Sequence, residues 1–323
     1  MDKYSALEAI NLIKKKRSGA IKGRTCANGS RHRRFLKPGE TVALPTVSLE
    51  ALLGDVHEDR DVCIFDVPGA YLQASMPERK KLLMNFRGQF VDIMCSVNKE
   101  NRKHMICEKG QKVLYVRVLK AVYGCIEYAL LWYNLYTGTL KDMGFVINPY
   151  DRCVANKDIN GKQCTVTWYV DDNKLSHADT DVVTEILDEI SEHFGELVVS
   201  RGDKHDLLGM HIEIDRKNRK IWIDIIDQLE EALEMFGEVV DNNVVTPAYK
   251  DLMTIDIESP QLSDAKRERF HSVVAKLLFN VKRSRPDIKT TISFLMRRVA
   301  KSTEQYWEQI VAMYGIYQKD NKR

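Results

Sequence analysis

The sequence is poor in the features that mark membrane, secreted and zinc-binding proteins. No apolar run comes near the ~20 residues that a membrane-spanning helix needs, and the first five residues lack the architecture of a signal peptide. The seven cysteines are odd in number and scattered, with no C-x-x-C pair. These absences argue against a membrane partner, a disulfide framework and a zinc site, and they favour reduced thiols inside the cell.

The net charge of the whole chain is also small, but the charged residues are unevenly distributed along it. The formal net charge is only +3, so the total does not indicate a nucleic-acid partner. Between Lys14 and Lys37, however, there are ten lysine and arginine residues and no aspartate or glutamate. Such a segment favours a polyanion partner, most simply phosphates. A solvated basic loop or a localisation signal would have the same composition, and both alternatives stay open.

The remaining composition is that of a globular protein with alternating helices and strands. The 323 residues are 44% hydrophobic and 29% charged, which suffices for two or three substructures with their own cores. Periodicity and turn residues predict the elements. The predicted helices are 1–13, 48–59, 126–143, one that Asp179 caps, one that Asp227 and Glu230 begin as a capping box, and several after 264. The predicted strands include 61–67, 82–85, 113–118 and 165–170. The last of these is the second strand of a hairpin that turns at Asn160–Gly161, and another hairpin is predicted over 211–223.

Two adjacent carboxylates end the strand over 165–170. Val166 and Trp168 alternate with threonines along this strand, and Asp171 and Asp172 follow it directly. Delivering two charges into a tight turn is costly unless something uses them. A divalent metal would do so, because Mg²⁺ prefers oxygen ligands. A hairpin whose aspartates simply face water explains the same residues, and the stretch alone does not decide between these interpretations.

A second predicted strand ends in a carboxylate as well. Asp66 closes the apolar strand over 61–67 and lies 105 residues before Asp171. If the two strands pair in one sheet, Asp66, Asp171 and Asp172 meet at one edge. Three such charges repel unless cations compensate them, and two metal ions about 3.5–4 Å apart are the usual device for in-line nucleotidyl transfer. The pattern therefore predicts a two-metal site. A Mg²⁺-dependent nuclease or phosphatase would use the same three carboxylates, so this class of enzyme also stays open.

Several motifs occur in the order found in one family. The chain resembles the reverse transcriptase of Copia-type (Pseudoviridae) long-terminal-repeat retrotransposons from roughly Ile21 to Tyr317. The matching stretches are 22–29, 65–74, 120–124 with Trp132–Tyr133, the Tyr-Val-Asp-Asp box 169–172, 208–210, Pro247, 275–278 and 285–288. The run 126–130, Ile-Glu-Tyr-Ala-Leu, departs from the Lys-Gln-x-Pro-Arg that many members have near the template.

The resemblance implies an α+β fold, a right-hand polymerase with an antiparallel palm sheet packed on helices. Its segments would be 1–60 fingers, 61–85 palm with the first catalytic strand, 86–125 fingers, 126–206 palm with the Tyr-Val-Asp-Asp hairpin, 207–224 primer-grip hairpin and 225–323 thumb and connection helices. The family continues into ribonuclease H where this chain ends at Arg323, so the resemblance describes a polymerase domain without ribonuclease H.

The resemblance also implies a role for each matching residue. The catalytic residues and metal ligands would be Asp66, Asp171 and Asp172, with the backbone carbonyl of Val67 as a further ligand for two Mg²⁺ ions, for which Mn²⁺ could substitute. The substrate-binding residues would be Lys22, Arg24, Tyr71, Tyr123 and Gly124: the two cations grip the triphosphate, Tyr71 excludes the ribonucleotide 2′-hydroxyl, and the last two shape the nucleotide and template pocket. The primer grip would comprise Leu208, Gly209 and Met210.

The implied activity is RNA-directed DNA polymerisation on an RNA or DNA template with a DNA primer and dNTPs. We expect it inside the cell, in a cytoplasmic particle or the nucleus. A catalytically decayed or repurposed nucleic-acid-binding remnant is the alternative, which the altered run at 126–130 favours and the three intact aspartates oppose.

Overall fold

The computed structural model describes residues 6–15, 19–29, 55–78, 81–125, 128–237, 246, 252–281 and 283–320. The chain forms two compact units, Met1–Val47 with Arg60–Ser200 and Ser48–Asp59 with Arg201–Arg323. Each unit mixes helices and strands, as the predicted α+β class requires. Within the described ranges, no helix combines the length and the hydrophobicity needed to cross a membrane.

Strands and helices alternate along most of the chain. The strands are β1 (Leu7–Lys15), β2 (Ile21–Ala27), β3 (Asp61–Asp66), β4 (Leu83–Arg87), β5 (Met105–Glu108), β6 (Gln111–Arg117), β7 (Val146–Ile147), β8 (Val154–Ile159), β9 (Lys162–Tyr169), β10 (Asp172–His177), β11 (Val198–Arg201), β12 (Lys204–Leu207), β13 (Met210–Asp215) and β14 (Lys220–Asp224). The helices are α1 (Ala70–Gln73), α2 (Gln89–Val97), α3 (Tyr128–Asp142), α4 (Thr180–Phe194), α5 (Ile226–Phe236), α6 (Asp264–Val281), α7 (Lys289–Met296) and α8 (Glu304–Asp320).

A six-stranded sheet in the order β11-β3-β10-β9-β8-β7 forms the centre of the first unit. The registered pairs within it are antiparallel. Helices α3 and α4 contribute to one hydrophobic core with this sheet. In that core, Trp132 stacks on Tyr136 with ring centroids 5.1 Å apart and meets Phe194 edge-on at 5.3 Å. The large buried aromatic surface of α3 therefore fixes this helix beneath β9 and β10.

Both faces of the sheet centre are buried, which the alternating sequence of β9 does not suggest. Val166 and Trp168 face the helices as predicted, but Thr165 and Thr167 on the other face are also buried. Lys174 on β10 is fully buried on this second face, and its ammonium lies 3.4 Å from the Ser176 hydroxyl. The Thr165 hydroxyl accepts a 3.1 Å hydrogen bond from the Arg60 guanidinium, which offsets part of the cost of burying this polar face, whereas the Thr167 hydroxyl has no partner among the described residues.

A five-stranded sheet in the order β2-β1-β4-β6-β5 completes the first unit. β1 pairs antiparallel with β2 and parallel with β4, so it lies inside the sheet. Helix α2 contributes Val91 and Cys95 to the core of this sheet. β4 crosses the boundary at residue 85 between the segments that the resemblance assigns to palm and fingers, and its hydrogen bonds to β1 and β6 make the whole strand part of the five-stranded sheet.

The second unit combines a three-stranded sheet, β12-β13-β14, with helices α5 to α8. Residues 55–57, at the end of the predicted helix 48–59, are helical. Aromatic side chains pack in the helical core: Phe236 stacks on Tyr314 with ring centroids 4.5 Å apart and meets Trp307 at a tilt with centroids 5.0 Å apart. The predicted hairpin over 211–223 is confirmed by the antiparallel pairing of β13 with β14.

Two sequence-based predictions of local structure are wrong. Residues 7–13 form a strand and not a helix, because the pairing of β1 with β2 and β4 overrides the helical spacing of its apolar residues. Asp227 and Glu230 form no capping box, since α5 begins at Ile226 and Asp224 accepts a hydrogen bond from the Ile226 amide at 3.3 Å. Much of the basic segment 14–37 and of the linker around Pro247 lies outside the described residues.

Candidate active site

Asp66 and Asp172 face each other across two neighbouring strands. β3 ends at Asp66, β10 begins at Asp172, and the antiparallel register makes these two residues direct partners. Asp171 precedes Asp172 in the adjoining turn. The structure therefore brings the three aspartates that the sequence singles out to the same end of two inner strands of the six-stranded sheet.

The turn that carries Asp171 has an unusual backbone. Asp172 pairs with Tyr169, so only Val170 and Asp171 connect the two strands. Val170 has φ of 62°, a value that a β-branched residue adopts at a cost in free energy. The indole Nε1 of Trp132 donates a 2.7 Å hydrogen bond to the Val170 carbonyl. A fully buried side chain of α3 thus holds the strained turn from below.

Asn173 binds two backbone carbonyls at the same edge. Its carboxamide Nδ2 lies 2.6 Å from the carbonyl oxygen of Asp171 and 3.4 Å from that of Phe65. The Asp171 carbonyl also accepts a 3.3 Å hydrogen bond from the Val67 amide. Asn173 is fully buried, so these bonds are shielded from water. One side chain therefore joins the end of β3 to the turn.

The carboxylates influence one another electrostatically. Burial raises the pKa of Asp172, and the negative charges of Asp171 and Asp66 raise it further. Mutual repulsion of this kind is what a bound cation relieves, and aspartate oxygens are suitable ligands for Mg²⁺. Within the described part of the chain, no three His, Cys, Asp or Glu side chains are already arranged as a metal-binding group. The donors fit a hard cation in chemical type, and the register of β3 and β10 places Asp66 and Asp172 side by side at one end of the sheet.

The segment after Asp66 positions the backbone and one aromatic ring beside the acids. The Val67 carbonyl accepts a 3.1 Å hydrogen bond from the Ala70 amide, and the left-handed Gly69 leads into the short helix α1. Tyr71 on this helix is half-buried. Burial, followed by the charge of Asp171, raises the pKa of Tyr71 to about 12, so its hydroxyl stays protonated at neutral pH.

Tyr123 connects the acids to the five-stranded sheet. Its hydroxyl donates a 3.4 Å hydrogen bond to Asp171 Oδ2, and its ring meets that of Tyr71 edge-on with centroids 4.8 Å apart. The guanidinium of Arg24 lies 4.9 Å from the centroid of the Tyr123 ring. Lys22 lies two residues before Arg24 on β2 and is exposed. Among the described residues, it makes no contact with the three aspartates.

Close backbone contact explains why Gly124 follows Tyr123. The Tyr123 carbonyl accepts a 2.7 Å hydrogen bond from the Ala27 amide. A Cβ on Gly124 would lie 2.0 Å from the Ala27 carbonyl oxygen, and one on Gly29 would lie 2.0 Å from that of Gly124. Gly124 also has φ of 95°, which favours glycine. The two glycines let the end of β2 lie directly against the segment that carries Tyr123.

The predicted primer-grip residues belong to the second unit. Leu208 and Gly209 form the turn between β12 and β13 with φ of 53° and 75°. A Cβ on Gly209 would lie 3.4 Å from the Gln228 side chain on α5 and 3.6 Å from Phe279 on α6. Met210 is buried. The turn is therefore packed against two helices of its own unit.

The backbone hydrogen bonds made by Trp132 and Asn173 were not predicted from the sequence. Trp132 lies in the predicted helix 126–143, where a large aromatic side chain indicates packing only. Asn173 is a polar residue directly after the Asp pair, and this polarity is the one signal that could have pointed to a backbone contact.

Comparisons with known proteins identify relatives of the chain. It is 23% identical over 65% of its length to the retrovirus-related Pol polyprotein from transposon TNT 1-94 of Nicotiana tabacum, covering 15% of that protein. It is 25% identical over 90% of its length to the Pol polyprotein from transposon RE2 of Arabidopsis thaliana, covering 18% of it. The putative transposon Ty5-1 protein of Saccharomyces cerevisiae is 24% identical over 54% of this chain and 56% of that protein. These relatives confirm the resemblance that the motifs predict.

The chain thus spans only part of the length of each of these relatives. No family model matches it. Among solved structures, it resembles apo telomerase from Candida tropicalis with a TM-score of 0.41 and 10% identity, over 98% of this chain and 62% of that one. The prototype foamy virus protease-reverse transcriptase gives a TM-score of 0.30 and 12% identity over 84% and 33%. Both TM-scores are too low to support a functional argument.

Proposed function

Because the chain is related to the Pol polyproteins of retrotransposons, we propose that it is an RNA-directed DNA polymerase that adds dNTPs to a primer 3′-hydroxyl. The observation that carries this proposal is the meeting of Asp66 and Asp172 as cross-strand partners, with Asp171 in the adjoining two-residue turn. This arrangement supplies acidic oxygen ligands at one sheet edge, which nucleotidyl transfer requires.

The two sheets of the first unit correspond to parts of a right-hand polymerase in this proposal. The six-stranded sheet with α3 and α4 would be the palm, and the five-stranded sheet with α2 would belong to the fingers. The three-stranded sheet of the second unit would contain the primer grip at Leu208, Gly209 and Met210. Helices α5 to α8 would form the thumb and connection.

Two Mg²⁺ ions would be held by Asp66, Asp171 and Asp172, with the Val67 carbonyl as a further ligand. When bound, they would supply Lewis-acid activation of the primer hydroxyl and charge neutralisation of the triphosphate. The repulsion among the three acids, seen in the raised pKa of Asp172, supports a cation there. Mn²⁺ would substitute, because it accepts the same oxygen ligands.

The side chains around the acids suit an incoming dNTP. Arg24 presents a planar guanidinium that favours paired contacts to phosphate oxygens, and it already lies against the Tyr123 ring. Lys22, on the exposed part of β2, would add a second cation. Tyr71 would lie under the deoxyribose and exclude a 2′-hydroxyl, while Tyr123 and Gly124 would shape the pocket wall.

The proposed partners are an RNA or DNA template, a DNA primer and dNTPs, and the proposed setting is inside the cell, as for a retrotransposon polymerase. Primer extension tests the activity directly. The wild-type chain should extend a labelled DNA primer on an RNA template with Mg²⁺ and dNTPs. Asp171→Asn should abolish extension and leave duplex binding nearly intact. Asp188→Asn, on the exposed side of α4, is the matched control and should extend like the wild type.

Each outcome of this assay separates the candidates. Extension that survives Asp171→Asn would contradict the metal-ligand assignment. Duplex binding without extension under either Mg²⁺ or Mn²⁺ would favour a decayed or repurposed binding protein. Cleavage of the template by the wild type, lost in Asp171→Asn and without primer extension, would favour a nuclease.

A further inference from the structure

Three backbone carbonyls lie directly behind the acidic residues, and buried side chains bind all of them. Trp132 donates to the Val170 carbonyl at 2.7 Å. Asn173 donates to the Asp171 carbonyl at 2.6 Å and to that of Phe65 at 3.4 Å. Phe65 immediately precedes Asp66, so these bonds hold the backbone next to each predicted metal ligand.

The turn needs such support because its conformation is costly. Val170 has positive φ, and a valine in that region is strained by its branched Cβ. A turn free to relax would rotate the Asp171 carboxylate away from Asp66. The indole of Trp132 cannot follow such a movement, since its ring is stacked on Tyr136 and meets Phe194. The hydrogen bond therefore ties the turn to the rigid core of the unit.

Asn173 adds a restraint between two strands. The same carboxamide nitrogen binds the turn at Asp171 and the end of β3 at Phe65. An apolar side chain at this position would leave both carbonyls without this donor. Side chains that orient metal ligands from behind commonly change metal affinity when they are replaced.

We propose that Trp132 and Asn173 are positioning residues that set the separation of Asp66 from Asp171 and Asp172, and thereby the affinity of the site for divalent metal. This inference rests on the proposed function, since it assumes that the three aspartates bind metal. Neither residue would touch substrate or metal. Their contribution would pass through the backbone carbonyls that they hold.

The chain contains a matched control for the indole. Trp168 lies in the same core as Trp132, and each is only 1% exposed. The Nε1 atom of Trp168, however, has no hydrogen-bond partner among the described residues. Trp132→Phe and Trp168→Phe therefore remove similar buried volume, but only the first removes a bond to the turn.

Mn²⁺ binding to the full chain, followed by electron paramagnetic resonance of the free ion, tests the inference without relying on activity. Trp132→Phe should weaken Mn²⁺ binding about 10-fold, and Trp168→Phe less than about 2-fold. Asn173→Leu, which keeps a branched side chain of four heavy atoms and removes both bonds, should weaken it by a similar factor to Trp132→Phe. Thermal unfolding of the metal-free proteins shows whether each variant is folded. In primer extension, both positioning variants should need more Mn²⁺ for half-maximal rate.

Equal Mn²⁺ affinity of Trp132→Phe and Trp168→Phe, in a wild type that binds Mn²⁺ and extends primers, would overturn the inference and leave the proposed function standing. A wild type that neither binds Mn²⁺ nor extends primers would overturn both. If Trp132→Phe does not fold, the affinity of Asn173→Leu decides: a loss near 10-fold supports the inference, and an unchanged affinity overturns it.

Discussion

The hydroxyl of Tyr123 lies 3.4 Å from a carboxylate oxygen of Asp171, while the ring of the same residue supports Arg24 and Tyr71. One side chain therefore contacts an acid on the central sheet, a cation on β2 and a ring on α1. Its hydroxyl and its ring make separate contacts, so their contributions can be separated by substitution.

Tyr123→Phe removes the hydroxyl and keeps the ring. We expect kcat/KM for dNTP to fall only about 2- to 10-fold, because a single long hydrogen bond is lost. Tyr123→Ala also removes the surface on which Arg24 rests and should lower kcat/KM by at least about 10-fold more. Steady-state primer extension with varied dNTP measures both. Equal effects of the two substitutions would show that the ring contributes nothing.

Asp172→Asn should stabilise the metal-free protein while abolishing primer extension. The pKa of Asp172 is raised, so its charged form is disfavoured in the folded state. Stability is consequently lost as pH rises from the ordinary aspartate pKa through the raised value. Thermal unfolding at pH 7.5 in EDTA should give a higher Tm for the variant. Added Mg²⁺ should raise the Tm of the wild type more than that of Asp172→Asn; the reverse order would contradict the site.

Tyr71→Ala should admit ribonucleotides. The ring lies beside Tyr123 and close enough to Asp171 to be affected by its charge, as a residue beneath the sugar would be. We expect the preference for dNTP over rNTP to fall by at least about 10-fold in the alanine variant, because a steric barrier is removed. Tyr71→Phe keeps the ring and should retain the preference. Competition between dCTP and CTP in primer extension measures both, and an unchanged preference in Tyr71→Ala rejects this role.

Gly124→Ala should destabilise the first unit strongly. The new Cβ would lie 2.0 Å from the Ala27 carbonyl oxygen, and the residue has positive φ. We expect a loss of about 3 kcal/mol or more in the free energy of unfolding. Gly138→Ala is the control, because its Cβ would meet nothing within 4 Å on helix α3, and it should add about 1 kcal/mol. Chemical denaturation measures both changes.

Protonation of His211 should stabilise the second unit. The ring bridges Asp206 on β12, at 2.5 Å, and Asp227 on α5, at 3.7 Å, with Asp224 on β14 also nearby. The hydrogen bond to Asp206 is the main cause of its raised pKa. The stabilisation is therefore fully present below the ordinary histidine pKa of about 6.5 and is lost as pH rises through the raised value.

Replacing His211 by asparagine tests this dependence. The midpoint of denaturation of His211→Asn should fall below that of the wild type in acid and approach it in base. His271→Asn, on the exposed side of α6, should show no such convergence. Parallel pH profiles of wild type and His211→Asn would contradict the expected linkage.

The sequence predicted those features that depend on neighbouring residues. Alternation located β3 and β9, and Asp179 indeed caps α4 by accepting a hydrogen bond from the Asp181 amide. The helical spacing in β1 led to a wrong prediction because pairing with β2, and with β4 at Met84, which is 77 positions after its partner Leu7, determines the conformation of the strand. A strand bound by such distant hydrogen bonds does not need a strand-like pattern of its own.

In the candidate site, too, the features set by residues near in sequence were predicted and those set by distant residues were not. The convergence of Asp66 with Asp172 followed from two strand ends, whereas the bond from Trp132 to the Val170 carbonyl joins residues 38 positions apart. The positive φ of Val170 could not be predicted from the sequence either, because valine is among the residues least suited to this conformation. Such a backbone is maintained by its surroundings, and these become visible only in the folded chain.

The position of β1 inside its sheet has a consequence for shortened forms of this protein. Any form whose translation starts after Lys15 would lack the strand that joins β2 to β4. The freed edge of β4 would then offer unpaired amide and carbonyl groups to other chains. Arg24 would lose its anchorage at the same time, since β2 pairs with β1 along its whole length. Aggregation and loss of nucleotide binding should therefore appear together in such forms.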